Sequence, residues 1–220
     1  MIYPPVDTNW IEPNLSEERD ETFLYVGALV PYKRVDVVIE AFNRCKLPLI
    51  VAGEGPLYPS LKKIAKKNIK FVGRVSDKEL AALYRRCKAL MFSGCEDFGM
   101  IPVEAMAAGT PVIAPFKGGC KETVKGIRYW QEIKGAQEEE KEASGVFFRY
   151  FSSPRRQVEE ILRALFFFEK NKERIKAVNC IKQADVFSPE RFKREWRIFI
   201  ALTLSKEKGR GLNKGLVHYR

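Results

Sequence analysis

The sequence predicts an α/β fold: a Rossmann-like parallel sheet with helices on both faces. Three observations carry that prediction. Between Thr22 and Pro115, short apolar runs alternate with segments whose apolar residues recur at helical spacing. The runs are apolar throughout rather than alternating, as strands covered on both faces are. Each run also gives way to a loop that carries glycine, the punctuation of strand–loop–helix units.

Each element has its own signal. Residues 1–20 hold three prolines (4, 5 and 13) and the acidic run "SEERDE", with no periodic apolar face, and read as an extended linker. "TFLYVG" (22–27) is a strand, and Val35, Val38, Ile39 and Phe42 set a helix over 33–45. "LPLIVAG" (47–53) is a strand, Leu57 to Lys66 a short basic helix, and "IKFVG" (69–73) a strand. Ser76 and Glu79 form a capping box that opens a helix with Leu80, Leu83, Tyr84 and Cys87 on one face. "ALMFSG" (89–94) is a strand, 100–108 a helix stopped by Gly109, and "TPVIAP" (110–115) a strand. Residues 126–144 read as a surface insertion with an acidic stretch, and "GVFFRYF" (145–151) as a further strand. Ser153-Pro154 opens a helix lined by Val158, Ile161, Leu162 and Leu165, and an amphipathic helix covers about 171–183. Ser188-Pro189 opens a last helix bearing Phe192, Trp196, Phe199 and Ile200, and the tail from Ser205 carries five basic residues against one acidic and is expected to be loose. The organisation is therefore a linker (1–20), one nucleotide-binding α/β domain (21–186), a C-terminal helix (187–204) and a basic tail (205–220).

Composition excludes several chemistries. The 220 residues include one histidine, His218, which argues against Ser-His-Asp catalysis and histidine metal sites. Five scattered cysteines without a C-x-x-C pair argue against a disulfide framework or a thiolate zinc site, and for a reducing cytosol. No apolar run approaches the roughly 18 residues of a membrane span, and the start carries no signal peptide. A net charge of +11 attracts polyanions or phosphorylated small molecules without choosing among them. Nucleic acid is not the expected partner: aromatic-basic interleaving and a reading motif are both lacking.

Ligands of an open parallel sheet bind beyond the carboxyl ends of the strands. The loops there are "GALVPYKR" with Lys33 and Arg34, "GEGP" (53–56), "GRVS" (73–76), "GCEDFGMIPVE" (94–104) and "FKGGCKE" (116–122). Together they bring lysines, arginines and carboxylates, Glu96 and Glu104 among them, to one edge. "GEGP" lacks the third glycine of a dinucleotide fingerprint, since Tyr58 stands there, and no Walker A sequence exists. In the fourth loop, Gly99 lets backbone approach a ligand, and the amides after it open a helix whose N-terminus favours a phosphate. Glu104, one turn inside that helix, can accept two hydrogen bonds from a vicinal diol; Glu96 can face a second polyhydroxylated group.

These residues carry a resemblance. "EDFGMIPVEAMAAGTPVIA" looks like the E-x7-E motif of retaining, nucleotide-sugar-dependent glycosyltransferases of the GT-B fold. "YVGALVPYKRVDVVIEAFNR", "LPLIVAGEGP", "IKFVGRVSDKELAALYRRCKALMFSG" and "GGCKETV" follow that family's order and spacing, and "YPPVDT" resembles the linker into its second domain. The likeness is strong over residues 2–125 and weak to about 203, and its tone resembles the mannosyltransferase-like members that build surface polysaccharides. It implies one half of a GT-B fold, a nucleotide-sugar donor (GDP-mannose) as substrate, no metal or other cofactor, and transfer with retention. Lys33 would contact the donor diphosphate, and backbone around Arg74 and Val75 would hold the nucleobase beside Gly53 and Gly55. Glu104 would bind the ribose hydroxyls and Glu96 would sit by the donor sugar. Phe98, Gly99, Met100 and Ile101 would offer amides to sugar and phosphates, and Gly118 and Gly119 match a glycine pair near the pocket.

The sequence departs from the family pattern at Ala28, where many members carry an arginine, with Arg34 a candidate substitute, and at Cys120, where a small apolar residue is common. It also begins at the linker, so an N-terminal domain binding a glycan or lipid-linked acceptor is expected outside this chain, and the helix 189–203 would pack toward it with Trp196 and Phe199. The resemblance implies a cytoplasmic enzyme, and peripheral association with the inner face of a membrane is compatible with lipid-linked acceptors. The second reading is a stand-alone nucleotide-sugar binding module without transferase activity.

Overall fold

The structure is a computed structural model that describes residues 1–16, 18–131 and 141–214, with side chains through Ser205. Its centre is a seven-stranded sheet with every pair parallel: β1 (Phe23–Val26), β2 (Leu49–Ala52), β3 (Ile69–Gly73), β4 (Leu90–Met91), β5 (Val112–Pro115), β6 (Gly126–Arg128) and β7 (Gly145–Phe148). The spatial order is β3-β2-β1-β4-β5-β7-β6. Leu24 pairs with Ile50 on one side and Leu90 on the other, which makes β1 and β4 the two strands at which the order reverses.

Two helical layers cover the sheet. One joins α1 (Val35–Cys45) to α2 (Tyr58–Ile64) and α6 (Pro154–Asn171). The other packs α4 (Met100–Ala107) against α3 (Asp77–Arg86), α5 (Cys120–Thr123) and α7 (Ala177–Asp185). Phe23 of β1 meets Phe42 of α1 and Phe168 of α6 edge-on, and all three are buried. Every residue of β5 and β7 is buried, as the continuous apolar runs require. The Ser76/Glu79 capping box forms in full, satisfying amides at the start of α3. Gly109 ends α4 with φ +79°. On α3, Tyr84 and Cys87 are buried while Leu80 and Leu83 are half-buried against the core.

Several elements differ from the sequence expectation. The helix expected from residue 33 is split. Pro31–Lys33 form a 3-10 turn, Arg34 is left-handed (φ 55°), and α1 starts at Val35. Pro31 opens the turn but leaves no continuous ladder into α1. The expected strand 89–94 keeps only Leu90–Met91 in regular pairing; beyond it Phe92 N–H still donates to Ile113 O (2.9 Å), and the Ser93 hydroxyl donates to Lys33 O (2.7 Å). Residues 126–128, expected to open a surface insertion, form the edge strand β6. Gly126 is small enough to accept the Phe147 ring, which a Cβ there would meet at 2.6 Å. The acidic heart of that insertion, 132–140, lies outside the described residues. The helix expected over 171–183 is a 3-10 turn (Lys172–Arg174) followed by α7. The last helix, α8 (Pro189–Lys214), runs past its expected end into the tail expected to be loose, since no proline interrupts Ala201–Lys208 and most of those residues favour helix.

The N-terminal segment has neither helix nor strand among its described residues, but it is packed along the domain. Val6 and Ile11 are buried, Val6 N–H donates to Phe187 O (2.9 Å), and Trp10 lies 6.5 Å from the Tyr84 ring. Arg19 donates to Thr110 Oγ1 (2.8 Å), Gly109 O (2.7 Å), Arg85 O (3.1 Å) and Asn14 O (3.2 Å). On α8, Trp196 and Phe199 are 40% and 51% exposed. Among the described residues no helix is long and apolar enough to cross a membrane. All five cysteines are free thiols.

Candidate active site

The site follows from the strand order. The loops leaving β1 and β4 diverge where the order reverses, and a crevice forms at such a point in an open parallel sheet. Lys33 comes from the first loop and Glu96 from the second, and Lys33 Nζ pairs with Glu96 Oε1 across the crevice. The lysine side chain is 12% exposed and the glutamate 22%. Lys33 Nζ also lies 5.6 Å from the Tyr32 ring centre and 5.9 Å from that of Phe92. Burial of its ammonium pushes the Lys33 pKa below the ordinary value.

The glycines shape the edge by letting backbones touch. A Cβ on Gly53 (φ +137°) would stand 2.0 Å from Gly27 O, so the loops after β1 and β2 nest only with glycine there. Gly55 lies likewise against Leu29 O. Gly118 and Gly119 press the loop after β5 against the Glu96 loop: a Cβ on Gly119 would meet Phe98 Cα at 2.4 Å, and Gly119 N–H donates to Glu96 O (2.8 Å). Their visible task is to seat the loop that carries Glu96.

Gly99 (φ 87°) is the N-cap of α4 and is buried, Met100 is exposed, and Ile101 is half-buried near Gly27. No acidic side chain occupies the first turn of α4, whose free amides and positive dipole end favour negative charge. Phe98 packs edge-on against Phe187. Glu104, one turn further on, accepts a hydrogen bond from Tyr84 Oη on its Oε2 (2.9 Å). Burial raises the Glu104 carboxyl above the ordinary 4.5, against the lowering influence of that hydrogen bond. Arg74 is exposed on the loop after β3, with its N–H toward Glu54 Oε1 (3.4 Å), and Val75 is half-buried.

The structure brings Lys33, Glu96, Gly99, Ile101, Gly118 and Gly119 around the crevice. Arg34 is committed elsewhere. Its guanidinium donates to Phe151 O (2.7 Å) and lies over the Tyr150 ring at 5.7 Å, tying the segment after β7 to the β1 loop. Two tyrosines were not read from the sequence as part of this edge. Tyr84 supports Glu104, and Tyr25, buried with its hydroxyl near Gly27, has no hydrogen-bond partner among the described residues. Each occupies an apolar position in its pattern. The available signal was that a buried tyrosine hydroxyl needs a partner. Cys120, beside Gly99, is pushed up to about 12 by burial, which makes it an inert thiol at neutral pH.

This arrangement offers a cation and helix amides for negative charge, and two carboxylates for hydroxyls. The profile of the family "Glycosyl transferases group 1" matches residues 6–128. An uncharacterized glycosyltransferase of Methanocaldococcus jannaschii is 40% identical over 116 residues, which is 50% of this chain and 33% of that protein. The O-antigen chain mannosyltransferase C of Escherichia coli is 29% identical over 102 residues, 43% of this chain and 28% of that protein. The alignments thus span about a third of these relatives' length. Among solved structures, the sucrose-phosphate synthase of Thermosynechococcus elongatus superposes with a TM-score of 0.70 at 19% identity, covering 93% of this chain and 52% of that one. Anabaena HepE, solved in complex with UDP-glucose, gives 0.67 at 19% identity, covering 93% and 57%. At such identities these two likenesses speak for the fold, a Rossmann-like half of the GT-B architecture.

Proposed function

This chain belongs to the glycosyl transferases group 1 family, and on that premise we propose that it is the donor-binding half of a retaining transferase that moves a hexose, mannose from GDP-mannose, to a glycan or lipid-linked acceptor. One observation carries the reading: Lys33, Glu96 and the N-terminus of α4 meet at the crevice between β1 and β4. The sugar–phosphate bond breaks, the nucleoside diphosphate leaves with the bonding electrons, and the sugar carbon bonds to an acceptor hydroxyl whose proton passes to the departing diphosphate. Lys33 and the α4 amides stabilise the charge growing on that leaving group. Glu104 accepts from the ribose diol and Glu96 from the donor sugar. The Gly53–Gly55 loop and the backbone at Arg74 and Val75 line the nucleobase side. The acceptor would be presented by a second domain facing this edge. The mannosyltransferase relative supports the sugar, and the family supports the transfer.

Calorimetric titration with GDP-mannose, UDP-glucose and UDP-GlcNAc in EDTA tests the reading. GDP-mannose is expected to bind most tightly, with affinity lost in Glu104→Ala and Lys33→Ala, and a preference for either UDP-sugar overturns the choice of donor. A folded chain that binds none of them, or one whose binding survives both substitutions, overturns it.

A further inference from the structure

Glu104 is a long, half-buried side chain on α4, and ordering such a side chain costs up to about 2 kcal/mol of rotamer entropy. A carboxylate that must meet two vicinal hydroxyls gains from being fixed beforehand. We propose that Tyr84 is the positioning residue of the ribose-binding carboxylate, and that the N-terminal segment holds Tyr84 in place. The proposal rests on the reading of Glu104 as the ribose ligand.

The geometry supports each link. Tyr84 Oη donates to Glu104 Oε2 at 2.9 Å from the adjacent helix α3. An ionised carboxylate has about four acceptor sites, so one bond from Tyr84 leaves enough for a diol while fixing the plane of the group. The Tyr84 ring is fully buried and cannot follow a wandering carboxylate. Its backbone carbonyl accepts from Thr110 Oγ1, which in turn accepts from Arg19 Nη1 at 2.8 Å. Trp10 lies against the ring at 6.5 Å between centroids. Arg19 and Trp10 both belong to the segment expected to be a plain linker. The support therefore runs from that segment through Thr110 and Tyr84 to Glu104. The charge facing Glu104 from the start of α3 is Asp77, which disfavours its ionisation; the Tyr84 hydroxyl is the group that favours it.

A tyrosine that only fills the core would leave ribose recognition unchanged when its hydroxyl is removed. The test compares GDP and UDP with their 2′,3′-dideoxy counterparts by calorimetry, in wild type, Glu104→Ala and Tyr84→Phe. Wild type is expected to prefer the ribonucleotide, Glu104→Ala to lose that preference, and Tyr84→Phe to reduce it about tenfold while binding the dideoxy compound as wild type does. If the preference vanishes in Glu104→Ala and stays intact in Tyr84→Phe, the positioning role is overturned. If it persists in Glu104→Ala, the ribose reading itself fails and the proposal falls with it. A ligand-free readout decides independently. Carbon-detected NMR titration should show the Glu104 carboxyl titrating higher in Tyr84→Phe than in wild type, and an unmoved titration overturns the proposal.

Discussion

The two ends of the sheet use similar residues in opposite ways. At the amino-terminal ends of the strands, charges are consumed by the protein itself. Among the described residues Arg19 donates to Thr110, Gly109, Arg85 and Asn14, and the Lys88 side chain, 6% exposed, is held between Glu21 and Glu169. At the carboxyl-terminal ends, Lys33 faces one carboxylate across a crevice, the first turn of α4 carries no acidic residue, and Glu104 keeps acceptor capacity. A lysine or a glutamate does not announce which it will be. The surroundings decide: carbonyls and counter-charges below, glycine backbones above. The lower edge fastens the N-terminal segment, and the upper edge holds groups in place for something else to meet.

Four substitutions or conditions break or sharpen this contrast, in descending order of expected effect. Gly53→Ala should cost about 3 kcal/mol or more, because its Cβ would collide with Gly27 O at 2.0 Å and its φ of +137° suits glycine alone. Urea denaturation checks this, and a loss under 1 kcal/mol, by the same scale, would mean that the loops can separate. Lys88→Met should cost about 2 kcal/mol in stability by losing charge-assisted hydrogen bonds, while leaving nucleotide-sugar affinity unchanged. A parallel fall in affinity would show that the two edges are coupled.

Acid should separate the edges in a fixed order. Glu104 is raised above 4.5 by burial, so on acidification it protonates first. Its protonation relieves a folding penalty and removes a diol acceptor, so affinity should drop about tenfold while stability holds. Glu21, at the other edge, is lowered by Lys88. Its stabilisation is present above the ordinary carboxylate range and is lost only as pH falls through that depressed value. Calorimetry and thermal melts across one pH series check the order; simultaneous loss contradicts it. Ser76→Ala should cost the least, about 1 kcal/mol, by opening the capping box that ends the loop of Arg74 and Val75.

Much of this was legible in residue order. β3 spans Ile69–Gly73 as its apolar run indicated, the capping box forms, and the alternation of runs and helical spacing gave the sheet and its two layers. Lys33 and Glu96 could be placed at one edge because strand polarity fixes where loops end up. Less legible was whatever depends on a partner far along the chain. Arg34 bonds Phe151, Tyr84 bonds Glu104, and Arg19 bonds Gly109. Local periodicity carries no trace of such pairs. β6 was hidden because three residues beginning with glycine are too short to show a period.

The glycine loops also prolong the sheet's ladder beyond its strands. Gly27 N–H donates to Ala52 O (3.0 Å), Gly53 N–H to Gly73 O (2.8 Å), and Leu29 N–H to Glu54 O (2.8 Å). In terms of hydrogen exchange, these loop amides belong with the strands rather than with the surface. The floor of the crevice is a shelf already built when a ligand arrives. Encounter there should be governed by diffusion and charge rather than by the wait for a loop to close.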